Sequence, residues 1–95
     1  MTGIRVYTLL TPGQKAELVA LAAKHDRSVS YLIGRAIKDH IGGKARYSSA
    51  EATKKVFTRT DKETADRVKA VAAANSAHEW EVVNAAVETY LEAQN

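Results

Sequence analysis

Ile4-Arg5-Val6-Tyr7-Thr8-Leu9-Leu10 and, fifty positions on, Lys55-Val56-Phe57-Thr58-Arg59-Thr60 are one element written twice. Val6 falls on Val56, Tyr7 on Phe57 and Thr8 on Thr58. The register runs on without a gap to Ile41 and Leu91, through Leu18/Val68, Leu21/Val71, Leu32/Val82, Ile33/Val83, Ala36/Ala86 and Ile37/Val87. Identities are few, yet apolar positions meet apolar positions throughout. Two copies are too few for a solenoid, whose units need stacked neighbours. A duplicated unit in a 95-residue chain suggests instead a homodimer whose two subunits have been joined.

Each copy reads strand, helix, helix. Residues 4–10 are short and rich in β-branched and aromatic side chains, as a strand should be. Thr11 can cap a helix and Pro12 suits its first position, where no N–H is needed. From Pro12 to about Lys24, Leu18, Leu21 and Ala22 share a stripe, with Gln14, Lys15 and Glu17 placed largely off it. His25-Asp26-Arg27 is the expected turn and Ser28 the cap of a second helix, which carries Leu32, Ile33, Ala36, Ile37 and Ile41 and ends at Gly42-Gly43.

The second copy repeats the plan. Its strand is followed by Asp61 as a helix cap, then Val68, Val71 and Ala72 on a stripe. Asn75-Ser76-Ala77 form a turn, and the last helix bears Val82, Val83, Ala86, Val87 and Leu91. The expected organisation is one domain: a first unit over 4–42, a linker over 43–53 and a second unit over 54–93. A linker of this length reaches roughly 35–40 Å when extended, enough to cross a small domain.

One strand per unit cannot satisfy its own backbone, so the two strands should pair. The expected fold is therefore mainly α with one two-stranded antiparallel ribbon, an intramolecular β-α-α-β-α-α pseudodimer. Alternation puts Val6, Thr8, Leu10, Val56, Thr58 and Thr60 on one ribbon face. Arg5, Tyr7, Leu9, Lys55, Phe57 and Arg59 take the other, and three cations mark that face as the outer one. A register slip of one residue would instead bury Tyr7 and Phe57 and drive Arg59 inward without an evident partner.

Asp26-Arg27-Ser28-Val29-Ser30-Tyr31-Leu32-Ile33 resembles the turn into the second helix of the ribbon-helix-helix DNA-binding proteins of the Arc, MetJ and CopG type. The resemblance extends over nearly the whole chain, twice. It implies a ribbon laid in the major groove of double-stranded DNA, with alternate side chains reading base edges and the second helix offering its N-terminus to a phosphate. By position, the base readers are Arg5, Tyr7, Leu9, Lys55, Phe57 and Arg59, and the phosphate clamp is Arg27, Ser28, Val29 and Ser30. The outer ribbon of the family usually carries small polar or basic residues, whereas Tyr7, Leu9 and Phe57 are apolar. Asp26 stands where the family's turn has Gly, and His78-Glu79-Trp80 stands in the place of Ser28-Val29-Ser30.

A net charge of +3 and a pI near 9.3 lean mildly towards an anionic partner. With no Cys there is no disulfide framework, thiolate metal site or cysteine nucleophile, which fits a reducing, cytoplasmic setting. No apolar run approaches a membrane span, and no cofactor or metal is expected. His25, His40 and His78 are widely spaced, and Gly42-Gly43 follows a helix where a phosphate loop would open one. No enzyme is expected. The functions to be distinguished are a transcriptional repressor, an accessory protein at a plasmid transfer origin, and a protein–protein adaptor that has lost DNA binding. The solution state expected is a monomer, with several molecules side by side on longer DNA.

Overall fold

The computed structural model describes residues 3–41 and 53–94. The chain is mainly helical, with one two-stranded antiparallel sheet. Its elements run β1 (Ile4–Leu10), α1 (Pro12–His25), α2 (Val29–His40), β2 (Lys54–Thr60), α3 (Lys62–Ala74) and α4 (Glu79–Gln94). α2 stops at His40 with Ile41 extended as its C-cap, just short of the expected end at Gly42-Gly43; those glycines and most of the 43–53 linker lie outside the described residues. The strands pair antiparallel with Tyr7 opposite Phe57, Arg5 opposite Arg59 and Leu9 opposite Lys55. Exchanging every residue for the one fifty positions away returns the same set of pairs, so the ribbon is centred on Tyr7 and Phe57.

The helix ends show why these residues stop and start where they do. Thr11 accepts from the Gln14 N–H while Gln14 Oε1 accepts from the Thr11 N–H, a reciprocal cap that starts α1 at Pro12. α1 ends on Asp26 in the left-handed region at φ 55°, and the equivalent Ser76 has φ 52°. Both turns close alike, with Arg27 N–H donating to the Ala22 carbonyl and Ala77 N–H to that of Ala72, each at 2.9 Å. Asp tolerates this conformation better than most residues, which is how the turn dispenses with Gly. Asp61, at the start of α3, has its carboxyl held below the usual range chiefly by Thr64, with Lys38 contributing.

The inner ribbon face packs on the helices around a single core. Leu10, Leu18, Ile33, Ile37, Val68, Val82, Val83 and Val87 are fully buried and come from both copies. Each is worth about 1.5–3 kcal/mol in removed apolar surface, so neither copy keeps its core without the other. Between the helices, His40 of α2 meets Tyr90 of α4, its counterpart, at 6.0 Å between ring centroids.

One expectation fails. Gln14 is buried, not off the core stripe. Its amide faces that of Asn84, with Asn84 Nδ2 donating to Gln14 Oε1 at 2.9 Å. A polar side chain enters a core when a partner satisfies it there, and helical periodicity cannot see that partner. Among the described residues no helix is long and apolar enough to cross a membrane.

Candidate nucleic-acid interface

Ribbon alternation sorts the side chains sharply. Val6, Thr8, Leu10, Thr58 and Thr60 are buried and Val56 half-buried, while Arg5, Tyr7, Lys55, Phe57 and Arg59 are exposed and Leu9 half-buried. Tyr7 is 38% exposed and Phe57 42%, which takes both rings out of the core. Two threonines pin the ribbon to the helices beneath it. Thr58 donates to the Ser30 carbonyl at 2.7 Å and Thr8 to the Trp80 carbonyl at 3.1 Å, bonds fifty positions apart at both ends.

On the outer face the two rings pack at 6.3 Å, tilted by 53°. The Arg5 guanidinium lies 4.1 Å from the centre of the Phe57 ring. Lys55 Nζ lies 4.8 Å from that of Tyr7 and 5.6 Å from that of Phe57. The aromatic faces thus seat two cations and fix their direction. Arg59 stands opposite Arg5, a like-charge pair that costs stability in a ribbon unless something anionic sits above it. Its Nη1 donates only weakly to the Gly3 carbonyl, at 3.5 Å. Among the described residues, the ion pairs are Arg35 with Asp39 and Lys62 with Asp66, so no carboxylate neutralises Arg5, Lys55 or Arg59.

The four residues of the expected clamp have different parts. Ser28 caps α2 by accepting from the Tyr31 N–H at 3.0 Å, which leaves its own hydroxyl hydrogen free to donate. Val29 packs its side chain against the core. Ser30 turns its hydroxyl to Thr58 at 3.1 Å, so only its backbone N–H can face an anion. Those N–H groups of Val29 and Ser30 precede the first intrahelical bonds and carry the positive end of the helix dipole. Arg27 is exposed, its guanidinium 4.8 Å from the centre of the Tyr31 ring.

The counterpart at the start of α4 is built differently. The His78 N–H donates to Glu81 Oε1 at 2.8 Å, and Glu79 and Glu81 occupy the first turn. Two carboxylates in that first turn repel an external anion where α2 has none. His78 and Trp80 stack at 6.4 Å with rings 8° from parallel.

A groove of about 820 Å³ opens between the ribbon end and α2. It brings Ser28 and Ser30 together with Arg5, Phe57 and Arg59. Tyr7, Leu9, Lys55, Arg27 and Val29 lie outside it. Gly34, Arg35, Lys38 and Lys62 also line it, and none of these stood out among the sequence-derived site residues. A signal was available in the repeat. Fifty positions on, Gly34 becomes Asn84, Arg35 becomes Ala85 and Lys38 becomes Glu88. Among the described residues, no group of three or more His, Cys, Asp or Glu is placed to hold a metal ion. Compared with protein-family models, curated proteins and solved structures, the chain has no significant match.

Proposed function

We propose that the chain is a ribbon-helix-helix pseudodimer folded from one polypeptide, and that it binds duplex DNA with sequence preference to repress transcription. The observation that carries this reading is the outer ribbon face. There Arg5, Lys55 and Arg59 surround an exposed aromatic pair with no neutralising carboxylate among the described residues. The pseudodimer reading is supported by counterparts meeting each other on the ribbon and between the helices, Tyr7 with Phe57 and His40 with Tyr90.

A two-stranded ribbon fits the major groove, where guanine O6 and N7 accept from an arginine fork. Arg5 and Arg59 supply such forks from neighbouring strands. Tyr7 and Phe57 suit thymine methyl groups at the centre of the site, because an apolar contact there needs no hydrogen bond. The Ser28 hydroxyl and the N–H groups of Val29 and Ser30 hold a phosphate and fix the register on the duplex. Repression follows by occlusion: a chain seated in a promoter's major groove, in the cytoplasm, denies that DNA to the polymerase. Several molecules side by side extend the covered length.

A second reading, a protein–protein adaptor, is favoured by the exposure of Tyr7 and Phe57. A mobility-shift titration on the DNA upstream of the protein's own gene separates the two. A saturable complex that survives excess nonspecific duplex and weakens steeply with salt is expected for the repressor. Binding no tighter than to random duplex would sink it.

A further inference from the structure

We propose that the groove beside Gly34 holds the sugar–phosphate strand flanking the bound major groove, on the first repeat's side alone, so that the chain docks on DNA in one orientation. This rests on the DNA-binding reading above, and extends its phosphate contact at Ser28 and Ser30 along α2 to Arg35 and Lys38, over a surface that the two halves do not share.

Charge is the first argument. Five cations line the groove, Arg5, Arg35, Lys38, Arg59 and Lys62, against the single carboxylate of Asp61. The positions fifty residues away carry Lys55, Ala85, Glu88, Leu9 and Pro12, with Thr11 for Asp61. One flank of the ribbon is strongly positive and the other is not. Two of the five cations already pair one turn along their own helices, Arg35 with Asp39 at 3.4 Å and Lys62 with Asp66 at 2.8 Å. Such exposed pairs are worth little and exchange readily for a phosphate.

Shape is the second argument. A Cβ placed on Gly34 would meet Thr58 Oγ1 at 3.5 Å and the Arg59 carbonyl at 3.9 Å, ordinary contacts that leave room for a side chain. In the other half that room is used: Asn84 reaches the Leu9 carbonyl at 2.7 Å and is buried. Glycine keeps the first half open where asparagine closes the second. The groove is also continuous with the reading face, since Arg5, Phe57 and Arg59 belong to both. Phosphodiester strands border a major groove about 12 Å wide, so a ribbon lying in it has one along each flank. A free phosphate ligand shares this chemistry but needs no such continuity.

The test combines phosphate ethylation interference on a selected high-affinity duplex with salt titrations of Arg35→Ala/Lys38→Ala and Gly34→Asn. Interfering phosphates should extend farther on one flank, and the extension should vanish in the double variant. That variant should bind all sequences about tenfold more weakly, with a shallower salt slope. Gly34→Asn should act in the same direction, and thermal unfolding shows whether it folds; the double variant, altered only at exposed positions, decides if it does not. Symmetric interference, or a double variant that binds normally while Arg59→Ala does not, overturns the groove and leaves the ribbon standing. Loss of all DNA binding in the wild type overturns both. Pyrophosphate followed by amide shifts at Gly34 and Lys38 should bind only at millimolar levels; micromolar saturation would assign the groove to a free phosphate ligand and overturn the proposal.

Discussion

Asn84 donates to the backbone carbonyl of Leu9 at 2.7 Å, whereas its repeat counterpart Gly34 has no side chain to reach the equivalent carbonyl of Arg59. The same amide donates to Gln14 Oε1, which also accepts from the Thr11 N–H. One buried pair thereby ties α4 to β1 and to the first turn of α1. Asn84→Ala strips a partner from Gln14 and from Leu9 together, and should cost about 1–3 kcal/mol in denaturant unfolding. A double-mutant cycle with Gln14→Ala should return a coupling of roughly 0.5–3 kcal/mol. Strict additivity would mean that solvent satisfies these amides equally well.

The counterpart substitution should have the opposite sign. Gly34 lies inside α2, where glycine costs about 0.5–1 kcal/mol relative to alanine. Its Cβ position is free of any contact shorter than 3.5 Å. Gly34→Ala should therefore raise the unfolding midpoint, and a fall would show that α2 and the ribbon lie closer together than these distances allow.

The backbone plan was legible in the chain because each element announces itself locally. Alternation in 4–10 and 55–60 sorts the ribbon faces, Thr11-Pro12 starts a helix, and Asp26 and Ser76 mark matching turns. Gln14 and Asn84 were not legible, since each is polar alone and belongs in the core only once the other faces it. The groove escaped for a related reason: Lys38 and Lys62 are ordinary surface cations until α2, α3 and the ribbon end converge. Comparing the copies for difference, as in Gly34 against Asn84 or Lys38 against Glu88, carries that information better than comparing them for likeness.

Ribbon substitutions test the reading face. Arg59→Ala and Lys55→Ala should each weaken specific binding by roughly 1–3 kcal/mol. Arg27→Ala should lower affinity for all sequences alike and flatten the salt dependence, as loss of a phosphate contact does. Stability should move by no more than about 0.5 kcal/mol in all three, because these side chains are exposed. Folded ribbon variants that bind normally would place the reading face elsewhere.

Assembly follows from the shared core. Both strands and all four described helices come from one chain, so folding needs no concentration-dependent association step. Light scattering at micromolar concentration should give a monomer, with an unfolding midpoint independent of protein concentration. An obligate dimer would mean that strands pair between chains.

Duplication followed by divergence should leave its mark on the DNA. An identical homodimer offers both half-sites the same residues and so favours a palindrome. Here one end of the ribbon presents Arg5 opposite Arg59, and the other presents Leu9 opposite Lys55. Two guanidinium forks at one end can each take a guanine, whereas the other end has one ammonium and an apolar neighbour. The helix starts beneath them differ in the same sense, with Ser28 free to donate at one and Glu79 and Glu81 at the other. The preferred site should therefore be asymmetric, richer in guanine at the Arg5/Arg59 end, and larger sites should be direct repeats of it. Selection from random duplexes followed by footprinting measures this directly, and a strict inverted repeat under one bound molecule would show that the two ends read alike despite their residues.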